Sequence, residues 1–168
     1  MSKIAIITGG NRGLGREAAL TLAERGIDVL FTYRSHEAEA RAVVAELEAK
    51  GRKARALLLD VGDVSSFAGF TEAVKRELEQ HWGRTSFDFL LNNAGVGVHA
   101  PFTETTEAQF DLLMNVHVKG VFFLTQQLVP LMNDGGRILN VSSGLARFAL
   151  PGYAAYATMK GAIEVLTR

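Results

Sequence analysis

Short apolar runs at residues 3–8, 28–33, 54–59, 87–91 and 137–141 alternate with longer stretches of helical periodicity, and each run ends in glycine, arginine, aspartate, asparagine or serine. Strand, helix, strand repeated in this way predicts an α/β chain built on a doubly wound parallel sheet with helices on both faces. In such a sheet ligands sit outside the carboxyl ends of the strands. The polar clusters that close the runs therefore fall on one rim, where chemistry is expected.

The helical stretches are 13–25, with Leu14, Ala18 and Leu22 on one side, 37–50, with Ala42, Val43 and Leu47 inward, and 64–82, with Phe67, Phe70, Val74 and Leu78 as its stripe. Gly26 and Gly51 close the first two. His81 and Trp82 read as a helix end and a packing residue. Residues 106–131 form the longest helix, where Phe110, Leu113, Val116, Val118, Val121, Phe122, Leu124 and Leu128 leave almost no polar side. That predicts burial against more than one partner, either the sheet plus other helices or a second subunit. Asn115 is the polar exception and needs a partner there.

Residues 1–168, 48% hydrophobic, suit a single domain with a real core. Eighteen basic against eighteen acidic residues cancel, so no field recruits nucleic acid or an anionic membrane. The absence of cysteine excludes disulfides, thiolate metal sites and thiol nucleophiles, and no metal site is expected. No apolar run approaches the roughly 20 residues of a membrane span. Met1, Ser2 and Lys3 lead straight into the first apolar run without a separate leader, which predicts a cytoplasmic protein.

The first strand runs into Gly9-Gly10-Asn11-Arg12-Gly13-Leu14-Gly15 and then a helix. Glycines there let the backbone turn sharply and approach a ligand, while the helix start offers unpaired N–H groups to a pyrophosphate. The end of the second strand is where a dinucleotide fold meets the adenosine ribose. An acidic residue at that point favours NAD and a basic one the 2′-phosphate of NADP; here it is Arg34, with Arg12 as a second guanidinium. NADP(H) is therefore expected over NAD(H). Asn92-Asn93-Ala94-Gly95, after the fourth strand, combines small residues for close access with amides that brace backbone. After the fifth comes Ser142-Ser143-Gly144, and beyond Pro151 stand Tyr156 and Lys160, four positions apart. On a helix that spacing puts phenol and ammonium on one face, where a cation lowers the phenol pKa and makes it a usable proton donor.

Taken together these motifs resemble the short-chain dehydrogenase/reductase family, with its Rossmann-type fold, over all the residues present. Thr8 to Gly15 resembles the family's Thr-Gly-x-x-x-Gly-x-Gly cofactor turn, and Asn92 to Gly95 its sheet-stabilising motif. Asp60 and Val61 sit where the family contacts adenine. Asn115, Ser143, Tyr156 and Lys160 resemble its catalytic tetrad, Ser143 standing thirteen positions before Tyr156 as the pattern requires. The resemblance implies hydride transfer between NADPH and a carbonyl carbon, in either direction, with Tyr156 as proton donor and Ser143 stabilising the oxygen. Lys160 would bind the nicotinamide ribose and depress the tyrosine pKa, while Asn115 would hold a water. The implied cofactor contacts are Gly9, Asn11, Arg12, Gly13, Leu14, Gly15, Arg34, Asp60, Val61, Asn93, Ala94, Gly95, Tyr156 and Lys160. Val96, His99, Leu145, Phe148, Leu150 and Tyr153 flank the expected substrate position, and His99 is given no catalytic role.

The chain stops eight residues after Lys160, before the sixth and seventh strands of the family, so it is expected to be C-terminally short. The branch it most resembles is 3-oxoacyl-[acyl-carrier-protein] reductase. The long helix and the Tyr156 helix are the surfaces this family uses to associate, which implies a homo-oligomer acting on a small carbonyl or alcohol. The competing reading is a non-catalytic NADP(H)-binding or interaction module, or an inactive fragment of a longer reductase.

Overall fold

The computed structural model describes residues 2–168. Its strands are β1 (Ile4–Ile7), β2 (Asp28–Tyr33), β3 (Ala54–Leu58), β4 (Phe87–Asn92) and β5 (Met132–Asn140). They form one sheet in the order β3-β2-β1-β4-β5, and all neighbours are parallel. The helices are α1 (Gly13–Glu24), α2 (Glu37–Ala49), α3 (Phe67–Glu77), α4 (Glu107–Met114), α5 (Gly120–Leu128) and α6 (Ala154–Leu166). The expected doubly wound parallel architecture is present.

Alternation along the central strands explains the two cores. Ile4, Ile6 and Leu30 point to one face, where Phe67, Phe70, Val74 and Leu78 meet Leu124 and Leu128. Ile7, Val29 and Phe31 point to the other, against Ala19, Ala23, Ala40, Val43 and Leu47 of α1 and α2. Both faces of β1 and β2 are covered, which is why Ile4–Ile7 and the middle of β2, residues 29–31, are apolar without alternation. At the amino end of the sheet, buried Asp28 accepts hydrogen bonds from Trp82 Nε1 and the Lys53 amide, both at 3.0 Å. Trp82 thus carries a specific bond in addition to the packing role expected of it.

The segment 106–131 departs from a single helix. Thr106 opens α4 with a capping box to Gln109, but Asn115–Lys119 widens into a π turn before α5 begins. At Gly120, which opens α5, a Cβ would lie 2.2 Å from the Val61 carbonyl, so glycine permits the close passage beside the strand rim. The expected fifth strand, 137–141, is longer at its start: Phe87 pairs with Met132 and Phe89 with Arg137, so the residues between them, including Gly135 at φ 77°, loop out of the ladder. Part of the apolar surface of the long segment stays in solvent, with Phe110 at 38% and Phe122 at 46% exposure. No helix among the described residues is long and apolar enough to cross a membrane.

Candidate functional site

The carboxyl rim is built around Thr8, which β1 delivers to the turn. Its Oγ1 accepts the amides of Asn93 and Ala94, both at 3.0 Å, and Asn93 Nδ2 returns bonds to the Thr8 and Gly9 carbonyls at 3.0 Å. The Asn93 motif therefore braces the glycine turn directly. Thr32 holds the other side, its Oγ1 accepting Gly9 N–H at 3.1 Å and its carbonyl accepting Gly10 N–H at 2.9 Å. The glycines divide into two kinds. Gly9 and Gly13 adopt φ of 68° and 55° and turn the chain, whereas a Cβ on Gly15 would stand 2.1 Å from the Gly9 carbonyl. Gly15 serves close packing of helix on turn.

A cleft of about 310 Å³ opens over this turn. Gly9, Asn11, Arg12, Gly13, Arg34, Asp60, Val61, Asn93, Ala94 and Gly95 line it, together with Thr32 and Ser35. Of the expected cofactor contacts on this side, Gly15 stands outside it and Leu14 faces the neighbouring cleft. Asn11 is occupied, donating to Glu39 at 3.1 Å, and Asp60 accepts the Gly62 amide at 2.9 Å. Arg12 and Arg34 are exposed and make no ion pair among the described residues. Arg12 precedes α1 without a side-chain cap, so the N–H groups of the first turn remain open.

The neighbouring cleft, about 680 Å³, shares Asn93, Gly95 and Val96 with the first and brings together Ser143, Tyr156 and Lys160. Its apolar wall comes from Leu14, Leu145, Phe148, Leu150 and Tyr153. The two serines after β5 separate in function: Ser142 Oγ reaches Glu164 at 3.2 Å, while Ser143 Oγ accepts the Leu145 amide at 3.2 Å beside the phenol. Lys160 is 5% exposed, and its Nζ donates to the Val141 carbonyl at 2.6 Å and lies 5.6 Å from the Tyr156 ring centre. Burial lowers the Lys160 pKa. Burial raises that of Tyr156, with a smaller opposing pull from the Ser143 hydroxyl. The expected depression by the lysine is thus absent: desolvation dominates the phenol, and the ammonium spends its nearest bond on the Val141 carbonyl.

Asn115 does not line either cleft. From that segment Val116 lines the first cleft and His117 enters the second, and sequence reasoning missed the histidine. Two helical positions differ by about 200° in direction, so a segment cannot aim both side chains at one site. The His117 ring packs edge-to-face on Tyr156 with centres 5.2 Å apart, and its Nε2 meets the Val96 carbonyl at 2.7 Å. Burial lowers its pKa, the Val96 carbonyl opposes that, and the charge of Lys160 adds to the lowering. A buried histidine in an otherwise apolar helical run was the available signal. Thr32, another contributor absent from the expected set, gave none, since a threonine in an apolar strand reads as β-propensity.

Comparison with known proteins agrees with this geometry. The chain is 36% identical over 168 residues to a hydroxynaphthalene reductase-like protein Arp2 of Metarhizium brunneum, covering 99% of this chain and 60% of that protein. It is 37% identical to the tetrahydroxynaphthalene reductase PfmaG of Pestalotiopsis fici, covering 58% of its length. The chain thus spans about three fifths of the curated relatives it matches. Among solved structures, an angucycline C-6 ketoreductase LanV with bound NADP superposes with a TM-score of 0.94 at 37% identity, covering 98% of this chain and 64% of that one. The sequence profile described as short chain dehydrogenase matches residues 3–168, and this chain belongs to the short-chain dehydrogenase/reductase family.

Proposed function

We propose that this chain carries the catalytic half of an NADPH-dependent reductase that converts a cyclic aromatic ketone to its alcohol, or the reverse. The observation that carries the reading is the adjacency of the two clefts: an Arg12–Arg34 rim over a braced glycine turn opens through Asn93, Gly95 and Val96 onto Ser143, Tyr156 and Lys160. A phosphorylated dinucleotide fits this surface, because two exposed guanidiniums without carboxylate partners suit a 2′-phosphate and open N–H groups suit a pyrophosphate. When bound, NADPH supplies the hydride that the protein itself lacks. Tyr156 gives its phenolic proton to the oxygen that gains charge as the carbonyl is reduced, and Ser143 donates a hydrogen bond to the same oxygen. Lys160, anchored on the Val141 carbonyl beside Tyr156, would offer its ammonium to the sugar hydroxyls of the bound cofactor. Asn115 takes no part in this reading.

The substrate class follows from the wall. Leu145, Phe148, Leu150 and Tyr153 present apolar and aromatic surface, and Lys160 is the one charged side chain lining that cleft. A flat, uncharged ring system suits such a wall, and the relatives named as hydroxynaphthalene reductases and an angucycline ketoreductase lend support. A 3-oxoacyl thioester finds no such specific support. The exposed Phe110 and Phe122 favour a homo-oligomer. A chain without cysteine needs no oxidising compartment, which is in keeping with the cytoplasm.

The test mixes the purified chain with NADPH and a series of bicyclic aromatic and short aliphatic ketones and follows loss of the reduced cofactor. Turnover is expected with the aromatic set, and kcat/KM is expected to be higher with NADPH than with NADH. Binding of NADPH without oxidation by any ketone replaces the reductase with a cofactor-binding module. Equal or better use of NADH refutes the arginine assignment.

A further inference from the structure

We propose that His117 is a positioning residue for Tyr156: its imidazole seats the phenol ring against the turn that follows β4 and fixes the direction in which the hydroxyl faces the substrate cleft. The inference rests on the reductase reading for its catalytic meaning and on contacts alone for its geometry. Tyr156 has a half-open environment, and the rings against it are His117 at 5.2 Å and Tyr153 at 6.5 Å between centres. Tyr153 belongs to the loop just before α6 and moves with it. His117 is the ring contact that ties the tyrosine to a different part of the fold.

The imidazole is itself held. At 2.7 Å the Nε2 atom donates to the Val96 carbonyl, which places the ring proton on that nitrogen and makes the longer approach of the Val96 amide, 3.3 Å, a secondary contact. Burial lowers the pKa of the ring and so favours its neutral form, with Nδ1 free of a proton. Charge supports this state. Lys160 of α6 is the cation close enough to act on the ring, Tyr156 beside it is a neutral phenol, and residues 93–97 of the facing turn bear no charge. Space is reserved as well: a Cβ on Gly95 would come within 2.8 Å of the His117 ring. The π turn at Asn115–Lys119 belongs to the same device, since a change of helical repeat alters which side chain reaches the cleft. Turn, imidazole and phenol therefore form one stack, running from the wall shared by the two clefts to the proton donor.

Two variants separate the halves of this device. His117→Phe keeps a ring against Tyr156 and loses the bond to Val96; His117→Asn keeps a donor and loses the ring. In the full chain, both are expected to fold with a lowered thermal midpoint and to keep NADPH affinity while kcat falls, by about tenfold for Phe and more for Asn, with KM for the ketone little changed. The second readout needs no turnover. In ligand-free protein labelled at the tyrosine Cζ carbon, the Tyr156 resonance, identified by its loss in Tyr156→Phe, is expected to shift in both variants while that of Tyr33 stays in place. An unmoved Tyr156 resonance overturns the proposal. So does a loss of kcat that is matched by an equal loss of NADPH binding in the folded fraction, which is the pattern of a purely structural histidine. If the unmodified chain reduces no ketone, the reductase reading fails by itself, and the Tyr156 resonance still decides whether His117 sets the ring.

Discussion

The two ends of the sheet treat polar groups in opposite ways. At the amino end Asp28 is met by Trp82 and the Lys53 amide, and Asp88 by the Ile4 amide at 2.9 Å, Asn133 at 2.9 Å and Arg84 at 3.3 Å. At the carboxyl end Arg12 and Arg34 face a cleft without carboxylate partners, and Tyr156 and Ser143 line an apolar hollow. Charge spent within the protein holds the fold together, because a buried group that loses its partner costs its full desolvation. Charge left unspent beside a concave surface marks where a partner from outside supplies the missing half. One sheet thus separates stability from chemistry along the direction of its strands.

The largest expected effect sharpens this division at the chemical end. Tyr156→Phe removes the proton donor and is expected to lower turnover by about 10²- to 10⁴-fold, with the unfolding midpoint and NADPH binding unchanged. Retained turnover would remove the tyrosine from the mechanism. At the opposite end, Asp28→Ala leaves the Trp82 indole and the Lys53 amide unanswered and is expected to cost about 2–4 kcal/mol in urea unfolding, with NADPH affinity preserved in the folded fraction. A fall in affinity without loss of stability would break the comparison. Arg34→Ser comes next. It is expected to weaken NADPH about tenfold while leaving NADH unaffected, since an exposed guanidinium contributes about 1.4 kcal/mol to a phosphate contact at most. Titration with both cofactors reads the difference.

The smallest effect is a pH dependence at Asp88. Burial pushes this carboxyl up, but the Ile4 amide, the Asn133 side chain and the Arg84 guanidinium outweigh it and hold the pKa below the ordinary 3.8. The contribution to stability is therefore complete above 3.8 and is lost as pH falls through the depressed value. Asp88→Asn is expected to flatten that acid limb of the unfolding midpoint, because its cost falls at neutral pH, where the carboxylate contribution is complete, and disappears as pH drops through the depressed value. An acid limb identical to the unmodified chain would show that Asp88 is not its source.

Legibility in the sequence followed the range of the interactions. The glycine turn, the Asn93 motif and the Tyr156–Lys160 spacing are local, and the structure gathers most of the glycine-turn and Asn93 positions into one lining and Tyr156 with Lys160 into the next. Gly15 read as a ligand contact because sequence shows that glycine is needed and not which atom demands it; the demand comes from the Gly9 carbonyl. Asn115 read as functional because it stands where the family's tetrad has its asparagine, and as a polar exception in an apolar helix it needs a partner. His117, two positions on, is equally out of place, and only the direction of the helix at the π turn separates them. The tyrosine pKa went the other way from expectation for a similar reason, since a four-residue spacing brings a cation near but does not say that its proton goes to Val141 or how much water is excluded.

From the sequence by itself follow the parallel sheet, its two covered faces, the rim that carries ligands and the family. These depend on periodicity and on short motifs whose backbone demands are local. Tertiary structure alone decided which polar side chain stands against Tyr156 and which charges are already paired. Those outcomes turn on directions and distances between segments far apart in the chain, as where the π turn at Asn115–Lys119 brings His117 against a tyrosine 39 residues away.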